Sequence, residues 1–135
     1  MIEYINEIPK IDEYFPLFES TGWNSAYKMG PAQIERAISH SSFAVSAYDS
    51  GRIVGFARAV SDHVLYATIY DVVVYPEYQK AGIGAALVEN IVAQCKAAGV
   101  FTVHLFAADG TEPFYNKLGF QARPANMPGM RYEHT

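Results

Sequence analysis

The residues from Gln79 to Gly84, QKAGIG, are the stretch best suited to chemistry, because a glycine-rich loop opens a helix there. The first N–H groups of a helix have no internal acceptor and carry the positive end of its dipole. The amides of Gln79, Lys80, Ala81, Gly82, Ile83, Gly84 and Ala85 therefore offer a place for an anion, and glycine lets phosphate oxygens come close to such a backbone. An NTPase phosphate loop needs GxxxxGK followed by Ser or Thr, and nothing of that kind follows Gly84. A dinucleotide fingerprint needs a small residue where Leu87 stands and a first glycine directly after the strand, whereas here Tyr75 to Ala81 intervene. An ordinary glycine turn ahead of a core helix stays open beside the phosphate-binding loop.

Few other residues have chemistry in them. Asp71 interrupts the apolar run VLYATIYDVVVY, where a carboxylate among Ile69, Val72 and Val73 needs a partner. It is a candidate base acting through water, or a group that only fixes a neighbouring loop. Strand alternation sets Thr68, Tyr70 and Val72 on the face opposite Asp71. Asp109 is a second candidate base, although Asp-Gly is also a plain turn signal. His104 is expected on a strand and His63 at a turn, while His40 and His134 belong to no cluster. No metal-ligand spacing appears, so no metal is expected, and mid-helix Cys95 has no adjacent base that would make it a nucleophile.

The elements that must position these groups follow from periodicity and turn chemistry. Ile8 to Ser20 reads as an amphipathic helix, Thr21 to Gly30 as a loop, and Pro31 opens a second helix to about Ser39. FAVSAY and IVGFARAV flank Asp49-Ser50-Gly51-Arg52 as a hairpin, and Asp62-His63 turns into the central strand that Pro76 ends. The helix after Gly84 stops at Gly99. A strand over Phe101 to Ala107 follows, then a short helix over Glu112 to Leu118, a strand opening at Phe120, and a final β segment over Met130 to His134. The order α-α-β-β-β-α-β-α-β(-β) implies an α/β fold with a mixed sheet, antiparallel early and crossing over later.

The block DVVVYPEYQKAGIGAALVE resembles the acyl-CoA signature of the GNAT superfamily of N-acetyltransferases, with Gln79, Gly82 and Gly84 at its fixed positions. Lys80 and Ala81 stand where that family often has Arg or Gly. Downstream, EPFYNKLGF, Glu112 to Phe120, is similar to the family's second landmark, FYxxLGF. The resemblance covers Ser42 to Phe120; before that it extends only to having two helices, in the region that shapes the family's acceptor site. It implies a GNAT-like, partly splayed sheet flanked by helices, with acetyl-CoA as co-substrate and its pyrophosphate on the glycine loop. The pantetheine arm is then expected along Val72, Val73 and Val74, where a bulge would aim N–H groups at the thioester carbonyl. Tyr115 is the expected general acid. A phenol of pKa about 10 can protonate a thiolate whose acid lies near about 8.5. Packing beside Phe114, itself expected in the core, is the plainer role for Tyr115. Asn116 and Lys117 face outward and can touch the cofactor's far end or only solvent. Trp23, with Tyr27, either walls an apolar acceptor site or caps the core under its loop.

Composition bounds the rest. A chain of 135 residues, 50% hydrophobic, with ten Tyr and eight Phe, is one folded domain over residues 1–135. A net charge of −4 gives no basic field for nucleic acid. No apolar run reaches a membrane span, the N-terminus lacks a signal-peptide pattern, and the single cysteine suits a reducing compartment, so the cytoplasm is expected. The expected activity is acetyl transfer from acetyl-CoA to a primary amine, a small molecule, by direct attack in a ternary complex. A non-catalytic CoA-binding module with a sensing or scaffold role is the rival, and a homodimer is an allowed assembly.

Overall fold

The computed structural model describes residues 1–134, and the chain forms two compact units that meet at Leu105/Phe106. The first contains β1 (Ile2–Ile5), α1 (Ile11–Glu19), α2 (Asn24–Tyr27), α3 (Pro31–Ser39), β2 (Phe43–Asp49), β3 (Arg52–Ser61), β4 (Tyr66–Val74), a 3-10 turn (Pro76–Tyr78), α4 (Ile83–Ala97) and β5 (Thr102–Leu105). Its strands lie in chain order, β1-β2-β3-β4-β5, and are antiparallel except for the parallel β4–β5 pair. The β2–β3 connection works because Ser50 (φ 49°) and Gly51 (φ 85°) both adopt the left-handed conformation that a tight hairpin loop requires.

Helix α4 covers one sheet face with Ile83, Leu87, Val88, Ile91 and Cys95, all buried. Gly55 permits this close approach, since a Cβ there would sit 3.1 Å from both Leu87 Cδ1 and the Val73 carbonyl. Helices α1 and α3 cover the other face, where Tyr14, Leu17, Phe18, Ile34 and Ile38 pack with Phe56 and Val73. Beyond those helices this face lies open, and Val60, Tyr66 and Tyr70 are exposed on it.

The sheet is irregular at one place. Phe56 pairs with Val73 and Arg58 with Tyr70, so Ala57 alone stands opposite Asp71 and Val72. Strand β4 therefore carries an extra residue, a β-bulge, and Asp71 takes the left-handed conformation at φ 57°. On its other edge, β4 pairs with β5 only from Tyr66 to Ile69. From Tyr70 to Val74 that edge has no strand partner, and the two strands part.

The second unit, from Phe106, holds α5 (Glu112–Lys117) and turns. The strand expected from Phe120 is absent, as is the β segment over Met130 to His134. Pro124 and Pro128 each remove a backbone donor, and the Met127 amide closes a turn onto the Pro124 carbonyl instead. Two elements arise where none is expected. β1 is too short for periodicity to reveal and is held by pairing Ile2 to Asp49 through Ile5 to Ser46. α2 forms within the first loop, fastened by the Asn24 side chain bonding both the Met29 N–H and its carbonyl. No helix among the described residues is long and apolar enough to cross a membrane.

Candidate active site

Where β4 separates from β5, a cavity of about 250 Å³ is lined by Val72, Val73, Val74, Gln79, Ser20, Thr21 and Trp23. One wall is thus the unpaired edge of β4, with backbone groups that no neighbouring strand takes up. The Val74 carbonyl is an exception, because the Gln79 side-chain amide donates to it at 3.0 Å. The opposite wall is the loop after α1. Ser20 and Thr21 turn their hydroxyls back onto the Leu17 and Phe18 carbonyls, and Thr21 Oγ1 accepts the Trp23 N–H at 3.1 Å. These bonds hold Trp23 edge-on to Phe18, whose ring stacks on Tyr27. Trp23 is 38% exposed, packing on the core residue Phe18 on one side and lining the cavity on the other.

The glycine loop has the geometry an anion site needs. Lys80 (φ 65°) and Gly82 (φ 84°) are left-handed, which turns the chain sharply into α4. The Ala86 N–H closes onto the Gly82 carbonyl, so those of Ile83, Gly84 and Ala85 come before the first helical bond. Lys80, Ala81 and Gly82 are exposed. The Gln79 N–H, by contrast, is spent on the Pro76 carbonyl at 3.2 Å. The bridge into the loop is pinned to the β2–β3 turn: Tyr78 donates to Asp49 Oδ2 at 2.5 Å, and the Arg52 guanidinium lies 4.7 Å from the Tyr75 ring centre. The bond to Asp49 is the main cause holding the Tyr78 phenol above its ordinary pKa.

Asp71 has a partner that the sequence did not reveal. Arg58 Nε donates to Asp71 Oδ2 at 2.6 Å, with side chains only 15% and 22% exposed, and Arg58 Nη1 donates to the Ala37 carbonyl. The same guanidinium lies 5.9 Å from the Tyr70 ring centre. Asp71 and Tyr70 thus reach one arginine, and the expected opposition of their faces does not hold, because the bulge breaks the alternation. The signal for Arg58 was a cation inside the apolar run IVGFARAV, where a buried charge implies a counter-ion.

In the second unit, Tyr115 is half-buried between the rings of Phe114 and Phe120, at 4.9 and 6.0 Å, and burial raises its pKa. Phe114, expected in the core, is 37% exposed. Asn116 and Lys117 are exposed on α5. Asp109 is exposed and precedes Gly110 (φ 80°), the arrangement of a turn. Cys95 is fully buried, and that burial raises its thiol pKa. His104 is half-buried beside Tyr66, while His63 lies against Phe43.

The family model for the acetyltransferase (GNAT) domain matches residues 18–128. This chain belongs to the GNAT acetyltransferase family. A GNAT-family acetyltransferase from Streptococcus pneumoniae has the same fold, with a TM-score of 0.85 and 27% identity over 99% of this chain and 98% of that one. The uncharacterized N-acetyltransferase ycf52 of Porphyra purpurea is 38% identical over 118 residues, 84% of this chain and 66% of that protein. The chloroplastic serotonin N-acetyltransferase 2 of Oryza sativa subsp. japonica is 36% identical over 104 residues, 74% of this chain and 52% of the relative. This GNAT chain thus spans two thirds or less of the length of both curated relatives.

Proposed function

We propose that the chain is an N-acetyltransferase that moves an acetyl group from acetyl-CoA to a primary amine by direct attack in a ternary complex. The observation that carries this is the cavity along the unpaired edge of β4, bounded by the bulge at one end and leading to the α4 glycine loop. An extended, amide-bearing arm fits an open strand edge, and a pyrophosphate fits the free N–H groups of Lys80 to Ala85. Acetyl-CoA combines those two parts with a thioester, the source of the transferred group.

The chain's own groups then divide the work. Val72 offers backbone bonds to the arm, while Val73 spends its own on Phe56 of β3 and only walls the cavity. An N–H at the bulge stabilises negative charge developing on the carbonyl oxygen, worth about 3 kcal/mol. Val74 offers its N–H alone, its carbonyl being engaged by Gln79. Tyr115 gives its proton to the departing thiolate, and burial keeps that phenol protonated throughout the working pH range. Asp71, gripped by Arg58, holds the bulge and takes up the amine's proton only through water. Asn116 contacts the far end of the cofactor. The GNAT match spans both compact units, which supports one catalytic domain.

The acceptor in this reading is a small amine with an apolar body. Trp23 walls the cavity, and none of the lining side chains is charged, so polyamines and amino acids find no counter-ion there. The name of the rice relative, a serotonin N-acetyltransferase, agrees with an amine on an aromatic body, and its plastid location favours a plastid over an unspecified cytoplasm. The test is free-thiol release from acetyl-CoA with a panel of arylalkylamines, polyamines and amino acids. Release with the arylalkylamines and not the others is expected. Acetyl-CoA binding without amine-dependent release means a binding module instead.

A further inference from the structure

Tyr14 is completely buried, yet its hydroxyl has no hydrogen-bond partner among the described protein groups. Leaving a buried hydroxyl unpaired is costly, so its surroundings call for an explanation. The ring packs edge-on against Phe56 at 4.7 Å, and α1 rests on β3 and β4 at this place. Arg58 lies two residues from Phe56 on β3, on the same face, and grips Asp71 through Oδ2 alone. Asp71 Oδ1 accepts from no protein donor among the described residues. The buried hydroxyl without an acceptor therefore shares the α1-covered face with a carboxylate oxygen that takes no protein donor and is reached by solvent. The charges of both Asp71 and Arg58 reach the phenol. Burial first and Asp71 second raise its pKa, with Arg58 opposing, so Tyr14 stays protonated and can only be the donor to a carboxylate.

We propose that the Tyr14 hydroxyl and Asp71 Oδ1 are joined by one bound water beneath the bulge, which makes Tyr14 a positioning residue for the reacting stretch of β4. A buried water needs two or more polar partners. Here it has the hydroxyl and the carboxylate. Arg58 and the water then hold the two carboxylate oxygens from opposite sides. That grip keeps Asp71 at φ 57°, a conformation an aspartate leaves readily when nothing fastens it. The role rests on the acetyl-transfer reading of the bulge, but the water bridge itself does not.

The test is Tyr14→Phe, alone and combined with Asp71→Asn, read by melting temperature, acetyl-CoA affinity and kcat. Phe keeps the ring packing, so the sign of the stability change is decisive. A bridged hydroxyl predicts a fall of roughly 3–6 °C, and the double variant melting no lower than Asp71→Asn. A melting temperature equal to or above the parent's means a dry, unpartnered hydroxyl and overturns the proposal. For the positioning role, kcat should fall about 10- to 100-fold, the scale of lost orientation at a reacting centre, with acetyl-CoA affinity unchanged. Unchanged kcat in Tyr14→Phe, or losses that multiply in the double variant, overturn that role. If the parent shows no amine-dependent turnover, the acetyl-transfer reading fails, and the melting temperatures still decide the bridge.

Discussion

Replacing Gly82 with valine separates a ligand effect from a folding effect with unusual clarity. Gly82 stands at φ 84° and ψ 2°, just before the first turn of α4. An L residue held there costs about 1–2 kcal/mol of stability. A Cβ at this position meets no atom within 4 Å, so no packing loss is added. The variant should therefore fold, melting roughly 3–8 °C below the parent. Binding should suffer more. A backbone N–H bond to a charged phosphate oxygen is worth about 1.5–3 kcal/mol, so losing one weakens acetyl-CoA roughly 10- to 150-fold. Calorimetric titration at a temperature where both proteins are folded reads this directly, and acetyl-pantetheine, which lacks the pyrophosphate, should bind both equally. A folded Gly82→Val that binds acetyl-CoA with the parent's affinity refutes the pyrophosphate assignment. Gly84 has no positive φ, so a substitution there tests only the closeness of backbone approach.

Other perturbations address other parts of the site. Tyr115→Phe should lower kcat about 10²–10⁴-fold with acetyl-CoA affinity unchanged, and full retention of kcat with a good acceptor returns Tyr115 to packing. Trp23→Ala should raise the acceptor KM or change acceptor preference; a variant that keeps the parent's acceptor profile rules out the wall. Asp71→Ala should cost about 3 kcal/mol in urea unfolding, because it leaves Arg58 without its counter-ion, and a loss under about 1 kcal/mol contradicts the role given to that pair. Alkaline stability follows from Tyr14. Its phenol is raised in the folded state, so that contribution is intact below the unfolded pKa of about 10 and is lost as pH rises beyond it. Urea unfolding from pH 8 to 11 should show this decline, weakened in Tyr14→Phe; identical slopes speak against it.

The parts of the fold legible in the sequence are those fixed by local chemistry. Pro31 marks the start of α3, Ser50-Gly51 the hairpin and Gly99 the end of α4, because each solves a dihedral or capping problem within a few residues, whereas α4 begins at Ile83, two residues before the start expected after Gly84. Long-range pairing was less visible: β1 is defined by its contact with β2 rather than by any pattern of its own. The strand expected at Phe120 does not form, because Pro124 and Pro128 remove donors that a strand there would need. At the site, the glycine loop could be read from residue types at fixed spacing, and the bulge-bearing segment followed from the resemblance to the GNAT signature. The Arg58–Asp71 pair could not, because alternation placed Asp71 on the wrong face and only a bulge brings it to Arg58. Ser20 and Thr21 were also missed, since they reach the cavity through a loop whose path depends on the packing of α1.

The most direct test of the central claim is the initial-rate pattern with acetyl-CoA and a reactive arylalkylamine varied together. Direct attack of the amine requires both substrates on the enzyme at once, so double-reciprocal plots should intersect. Thiol release should also require the amine and match the acetylated product mole for mole. Parallel lines, with a burst of thiol before any amine is added, would place the acetyl group on the protein first and contradict the account.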